Sequence, residues 1–140
     1  MRGSTSTSVF RRENSARFAG WLWWIATIAI TAAIIMSRTL GGDTTEVAVF
    51  LLNLTYLAVA LAAGIVSFIA AFTTKNTARA GALVFVALIA AHLVFYAFQP
   101  LEAPYDALAQ KALWVTHLVL LIVGSVLVFR KTHHPPAVPR

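Results

Sequence analysis

The stretch VAVFLLNLTYLAVALAAGIVSFIAAFTT, Val47 to Thr74, holds no charged residue and decides the fold. A helix rises about 1.5 Å per residue, so this run alone exceeds the roughly 30 Å hydrocarbon core of a bilayer. The surplus leaves room for tilt or for an extra turn outside the lipid. Working outward, three more charge-free runs reach spanning length: Phe18 to Ser37, Ala80 to about Gln99, and Ala112 to Phe129. The last opens earlier if Pro104 serves as a first-turn proline. Lipid cannot satisfy exposed backbone polar groups, so the runs are expected as helices. The alternating ten-residue strands of a membrane barrel are not present in the sequence.

The composition agrees. Hydrophobic residues make up 59% and charged residues 11%, against a usual charged share of about 25%, too few to cover a water-facing surface. Cysteine is absent, which removes disulfides, thiolate metal sites and cysteine nucleophiles. The net charge is +6. The basic residues flank the apolar runs, so they read as topology signals and not as a nucleic-acid surface.

The expected architecture is an all-α, four-transmembrane-helix bundle, up-down-up-down, spanning residues 18–130, with tails at 1–17 and 131–140. Short connections force antiparallel neighbours. Gly41-Gly42-Asp43-Thr44-Thr45-Glu46 is a tight turn in which Asp43 and Glu46 resemble a capping box. Lys75 to Arg79 offers Asn76 or Thr77 as a cap. Pro100 to Lys111 is the longest connection.

One side of the bundle collects Arg2, Arg11, Arg12, Arg17, Lys75, Arg79, Arg130, Lys131 and Arg140, and the other only Arg38 and Lys111. The acids Asp43, Glu46, Glu102 and Asp106 fall on the sparse side. Both termini are therefore expected in the cytoplasm, in a multi-pass cell-membrane protein (the cytoplasmic membrane of a prokaryote). The first run is too long for a cleavable signal peptide and lacks a small-x-small cleavage pattern. The tails are expected to be disordered or to lie along the membrane, and His133-His134 on such a tail makes a poor metal site. Trp21, Trp23 and Trp24 read as an interfacial aromatic belt.

With no charge in any span, the buried polar residues carry the functional information. His92 and His117 are the only histidines within the spans. With Asn53 they fall roughly 8–11 Å below the outer edge of the core. His92, Tyr96 and Gln99 share a helical face, as do Gln110, His117, Gly124 and Ser125. Asn53 aligns with Tyr56 and with a small-residue stripe through Ala60, Ala63, Gly64, Ser67 and Ala71, which suits close approach of helices.

Three roles suit the His92/His117 pair. Each imidazole can bond Asn53, Tyr96 or a backbone carbonyl as interhelical glue, worth about 0.6–2 kcal/mol per contact. The pair can ligate the iron of a haem b. It can instead serve a quinone, a chlorophyll or a metal ion. The haem reading needs roughly 14 Å between helices that ordinarily pack 8–10 Å apart, so the third and fourth spans would have to splay or lie diagonally.

Several classes are disfavoured. No span carries the carboxylate typical of proton-coupled exporters or the arginines of a voltage sensor. Ser67 and Ser125 lie too far from either histidine to form a hydrolase pair. Thin loops leave little surface for catalysis. The expectation is a small non-catalytic subunit of a larger membrane complex of electron transfer or energy coupling, serving packing, assembly or cofactor support. It would contact lipid and other membrane subunits, and no nucleic acid. The alternatives are a small b-type cytochrome carrying one bis-histidine haem, and a small oligomeric channel or transporter.

Overall fold

The computed structural model describes residues 5–97 and 105–130, with side chains described for 14–97 and 107–130. Four helices account for nearly all of these: α1 (Thr5–Thr39), α2 (Asp43–Thr73), α3 (Asn76–Ala97) and α4 (Tyr105–Phe129). There are no strands among the described residues. All four helices are long and apolar enough to cross a membrane, over Asn14–Thr39, Asp43–Thr73, Asn76–Ala97 and Ala107–Phe129.

Their inward and outward faces carry the residue types expected of a lipid solvent. On α2 the buried residues are Ala63, Gly64, Ser67, Ala70 and Ala71, while Phe50, Leu57, Leu61, Phe68 and Phe72 face out. Small residues inside and large apolar residues outside is the pattern of helices that pack by close approach while their flanks meet lipid tails. This is a multi-pass membrane protein in contact with lipid.

Helix α1 begins at Thr5 and takes in most of the segment read as a tail. Extending an existing helix costs far less than nucleating one, and no proline or glycine interrupts Ser4 to Ala19. Helix α4 likewise begins at Tyr105, ahead of Ala112. Gln99, Pro104 and the tail beyond Arg130 lie outside the described residues.

Two turns differ from the capping expected. Asp43 does not cap α2. Gly42 stands there at φ 109°, ψ 161°, with no side-chain cap, and its carbonyl accepts from the Thr45 and Glu46 amides. Only glycine adopts that backbone cheaply. Asp43 and Glu46 instead sit in the first turn, where negative charge complements the helix dipole. At the α2–α3 turn, Thr74 closes α2 by donating its amide (2.9 Å) and its hydroxyl (2.6 Å) to the Ala70 carbonyl. Asn76 follows at φ 55°, a left-handed conformation that asparagine tolerates better than most residues. Asn76→Gly should therefore keep or slightly raise stability. Asn76→Val should cost about 1–2 kcal/mol, measurable by unfolding in mixed detergent micelles.

The helices make lateral contacts between α1 and α2, α2 and α3, α3 and α4, and α1 with both α3 and α4. The α3–α4 seam is close-packed. A Cβ at Gly81 would strike Val128 and come within 3.0 Å of the Gly124 carbonyl oxygen. A Cβ at Gly124 would fall 2.5–3.0 Å from the Phe85 ring. Farther along lie Leu88 and Leu121, both fully buried, and then His92 against His117. Thus positions 81, 85, 88 and 92 run down α3 as 128, 124, 121 and 117 run up α4, an antiparallel knob-and-hole register in which two glycines draw the helices together at one end. The opposite end, toward the α1–α2 turn, opens.

Candidate functional site

The seam delivers the two histidines to each other. His117 Nδ1 lies 3.3 Å from His92 Nε2, with ring centroids 5.0 Å apart and planes at 74°. His117 is fully buried and His92 nearly so. The outer nitrogens are also engaged. His92 Nδ1 is 2.9 Å from the Leu88 carbonyl one turn back on its own helix, and His117 Nε2 is 2.9 Å from the Thr27 hydroxyl of α1. That hydroxyl lies 2.8 Å from the Trp23 carbonyl.

Aromatic rings surround the pair. Trp23 of α1 stands 6.5 Å from His92 and 6.3 Å from His117, Tyr56 of α2 stands 6.5 Å from His92, and Trp114 of α4 stands 5.6 Å from His117. The Trp23 indole N–H donates to the Ser67 hydroxyl at 3.2 Å, and Ser67 donates to the Ala63 carbonyl at 2.6 Å. No family model, curated protein or solved structure matches the chain. What the site does must therefore be read from its own geometry.

Over His92, toward the α1–α2 turn end, lies a cavity of about 180 Å³ to which all four helices contribute wall. Ile30, Ile34, Phe95 and Leu113 supply apolar surface. Tyr56, Tyr96, Gln110 and Trp114 supply polar groups. None of these four side chains hydrogen-bonds to another described residue. Tyr96 and Gln110 are exposed and Tyr56 and Trp114 partly buried, so their polar groups are open to whatever enters the cavity. On the far side of the histidines, Leu88, Leu121 and Phe85 are fully buried, and they close the bundle.

The structure brings together His92 and His117 and leaves the other two sequence candidates in different places. Tyr96 is on the cavity wall, beside Phe95 at a ring separation of 5.7 Å. Asn53 is exposed on α2 and bonds neither imidazole. Burial on α2 begins only at Ala63. At the histidine level Tyr56, one turn farther along, occupies the inward position instead.

Trp21 is exposed and stacks edge-on against Phe129 at 5.7 Å. The aromatic-belt reading is corrected for Trp23, which is 1% exposed in the core; Trp24 is exposed, and its indole donates to Ser125 at 2.9 Å. A signal for Trp23 existed: the other buried positions of α1 are Ala16, Ala19, Gly20, Ala26, Thr27, Ala29 and Ala33. One large ring among so many small side chains fills the space they leave.

Haem b does not fit this arrangement. Two metal–imidazole bonds of about 2 Å would hold the ligating nitrogens near 4 Å apart with a macrocycle between them. Here the facing nitrogens are 3.3 Å apart and share a hydrogen bond. The glycine-tight seam keeps α3 and α4 from splaying. The cavity is also smaller than the roughly 300–1,000 Å³ of sites for drug-sized ligands. Among the described residues, no three histidine, aspartate or glutamate side chains cluster as a metal site.

Proposed function

We propose that this protein is a small, non-catalytic subunit of a membrane complex of electron transfer or energy coupling, and that it contributes a site for the headgroup of a quinone-class cofactor. The observation that carries the reading is the vestibule above His92. It offers one ring's worth of volume, apolar walls, and polar groups on Tyr56, Tyr96, Gln110 and Trp114 that hydrogen-bond to no other described residue. A quinone ring has flat faces for the aromatic walls and carbonyl oxygens for hydroxyl, amide or indole donors. Its isoprenoid tail suits the large apolar side chains on the flanks of the helices. In this reading the bundle is up-down-up-down with both termini cytoplasmic, following the basic residues around Arg17, Lys75 and Arg79.

Binding is measured in lipid nanodiscs by quenching of tryptophan fluorescence with a short-tailed benzoquinone, since Trp114 forms part of the wall. Quenching should saturate. Tyr56→Phe and Gln110→Leu should each weaken binding by roughly tenfold, about one hydrogen bond's worth. Purely linear quenching, unaffected by either change, would remove the quinone assignment. The subunit assignment is tested separately: extraction in mild detergent should release the chain together with larger membrane partners, and recovery solely as a free monomer refutes it.

A further inference from the structure

The Leu88 carbonyl has no proton to give, so His92 Nδ1, 2.9 Å away, must carry its N–H. A neutral His92 then presents a lone pair at Nε2, which makes His117 Nδ1 the donor across the 3.3 Å contact. A neutral His117 in turn presents a lone pair at Nε2, so the Thr27 hydroxyl has to donate to it. The same hydroxyl is 2.8 Å from the Trp23 carbonyl and has only one proton. With both rings neutral, four contacts must share three protons.

One added proton fills all four. Thr27 donates to the Trp23 carbonyl, His117 Nε2–H donates to Thr27 Oγ1, and the proton between the imidazoles belongs to either ring. A second added proton would turn two N–H groups toward each other at 3.3 Å. We infer that His92 and His117 together form a binding site for a single proton, loaded from the vestibule end of the bundle.

The surroundings fit one positive charge. From α4 the Trp114 ring stands 5.6 Å from His117, close enough for a cation–π contribution. From α1 the neighbours are Trp23 and Thr27, neither of which titrates. From α2 the titratable group is Tyr56, and from α3 it is Tyr96. No Asp, Glu, Lys or Arg lies in the spans around the pair. The filled hydrogen bonds and the ring faces oppose the cost of burying the charge. Exchange is one-sided because His92 borders the vestibule, whereas toward the other end the next polar link is the Trp23 indole. That group donates to Ser67 and has no lone pair with which to pass a proton on. The inference stands whether or not a quinone occupies the vestibule.

The test uses the full chain carrying His133→Ala and His134→Ala, so that only the buried imidazoles report, in lipid nanodiscs with ¹⁵N-labelled histidine. On acidification the chain should take up one proton, and the nitrogen signals of both rings should move together. At the pH where the parent is half loaded, Thr27→Val should hold roughly tenfold less proton, since without the hydroxyl the loaded pair would bury a charged His117 Nε2–H with no acceptor. Thr27→Ser should behave like the parent. Uptake of two protons in separate steps, no uptake at all, or a Thr27→Val variant that loads normally overturns the site. In liposomes with the chain inserted one way, a pH jump should reach the rings from the α1–α2 turn side. Equal rates from both sides overturn the route.

Discussion

Trp23→Ala is expected to destabilise the bundle by about 3 kcal/mol, the lower part of the range for emptying a large buried aromatic site. The ring is 1% exposed and belongs to the core cluster with Ala16, Ala19, Ala63 and Ala70. Several of the surrounding core positions are alanines, which have nothing to swing into the gap. Lipid-embedded proteins gain little from hiding apolar surface, which removes part of the usual penalty. The lost dispersion contacts remain, because a void offers its walls no partners. Trp23→Phe keeps most of the ring and loses the N–H donated to Ser67. It should cost only about 0.6–1.7 kcal/mol. Unfolding both variants in mixed detergent micelles separates volume from hydrogen bonding. If phenylalanine proves as damaging as alanine, packing is not what Trp23 supplies.

Gly124→Val is expected to cost about 2–3 kcal/mol and to loosen the histidine contact two turns away. The added Cβ would sit 2.5–3.0 Å from three carbons of the Phe85 ring, and Phe85 is fully buried with no free direction. The two helices must therefore part. Gly81 faces the same crossing, so parting there also relaxes the closest backbone approach in the seam. Because His92 and His117 are held on the same rigid pair of helices, their 3.3 Å contact should lengthen, and the coupled motion of their nitrogen signals should be lost. A rescue makes the cause specific: Phe85→Leu, destabilising alone, should relieve Gly124→Ala when the two are combined. A double variant worse than the sum of its parts would count against steric origin.

The spans were legible because lipid imposes an unusually simple code: long charge-free runs bounded by charges and turn residues. The shared level of His92 and His117 was legible for a related reason, since a helix converts residue number into depth; their direct contact was not among the pairings expected. Depth alone does not fix rotation about the helix axis. Asn53 has the right level yet is exposed, and Tyr56 takes the inward place. Thr27 and Trp23 were concealed differently, since neither residue type distinguishes a core position from an interfacial or lipid-facing one until neighbouring helices are in place.

By itself the sequence determined the solvent, the number of helices and the level of the polar groups, because each follows from local hydrophobicity and from the fixed rise of a helix. Only the tertiary structure decided how close those groups come. Gly81 and Gly124 let α3 and α4 touch where Phe85 locks between them. That contact sets the imidazoles at hydrogen-bond distance and not at the wider spacing of metal ligands, and leaves the open space above them as a vestibule. Separations of an ångström are set by the side chains of every helix at once, and no single stretch of chain contains them.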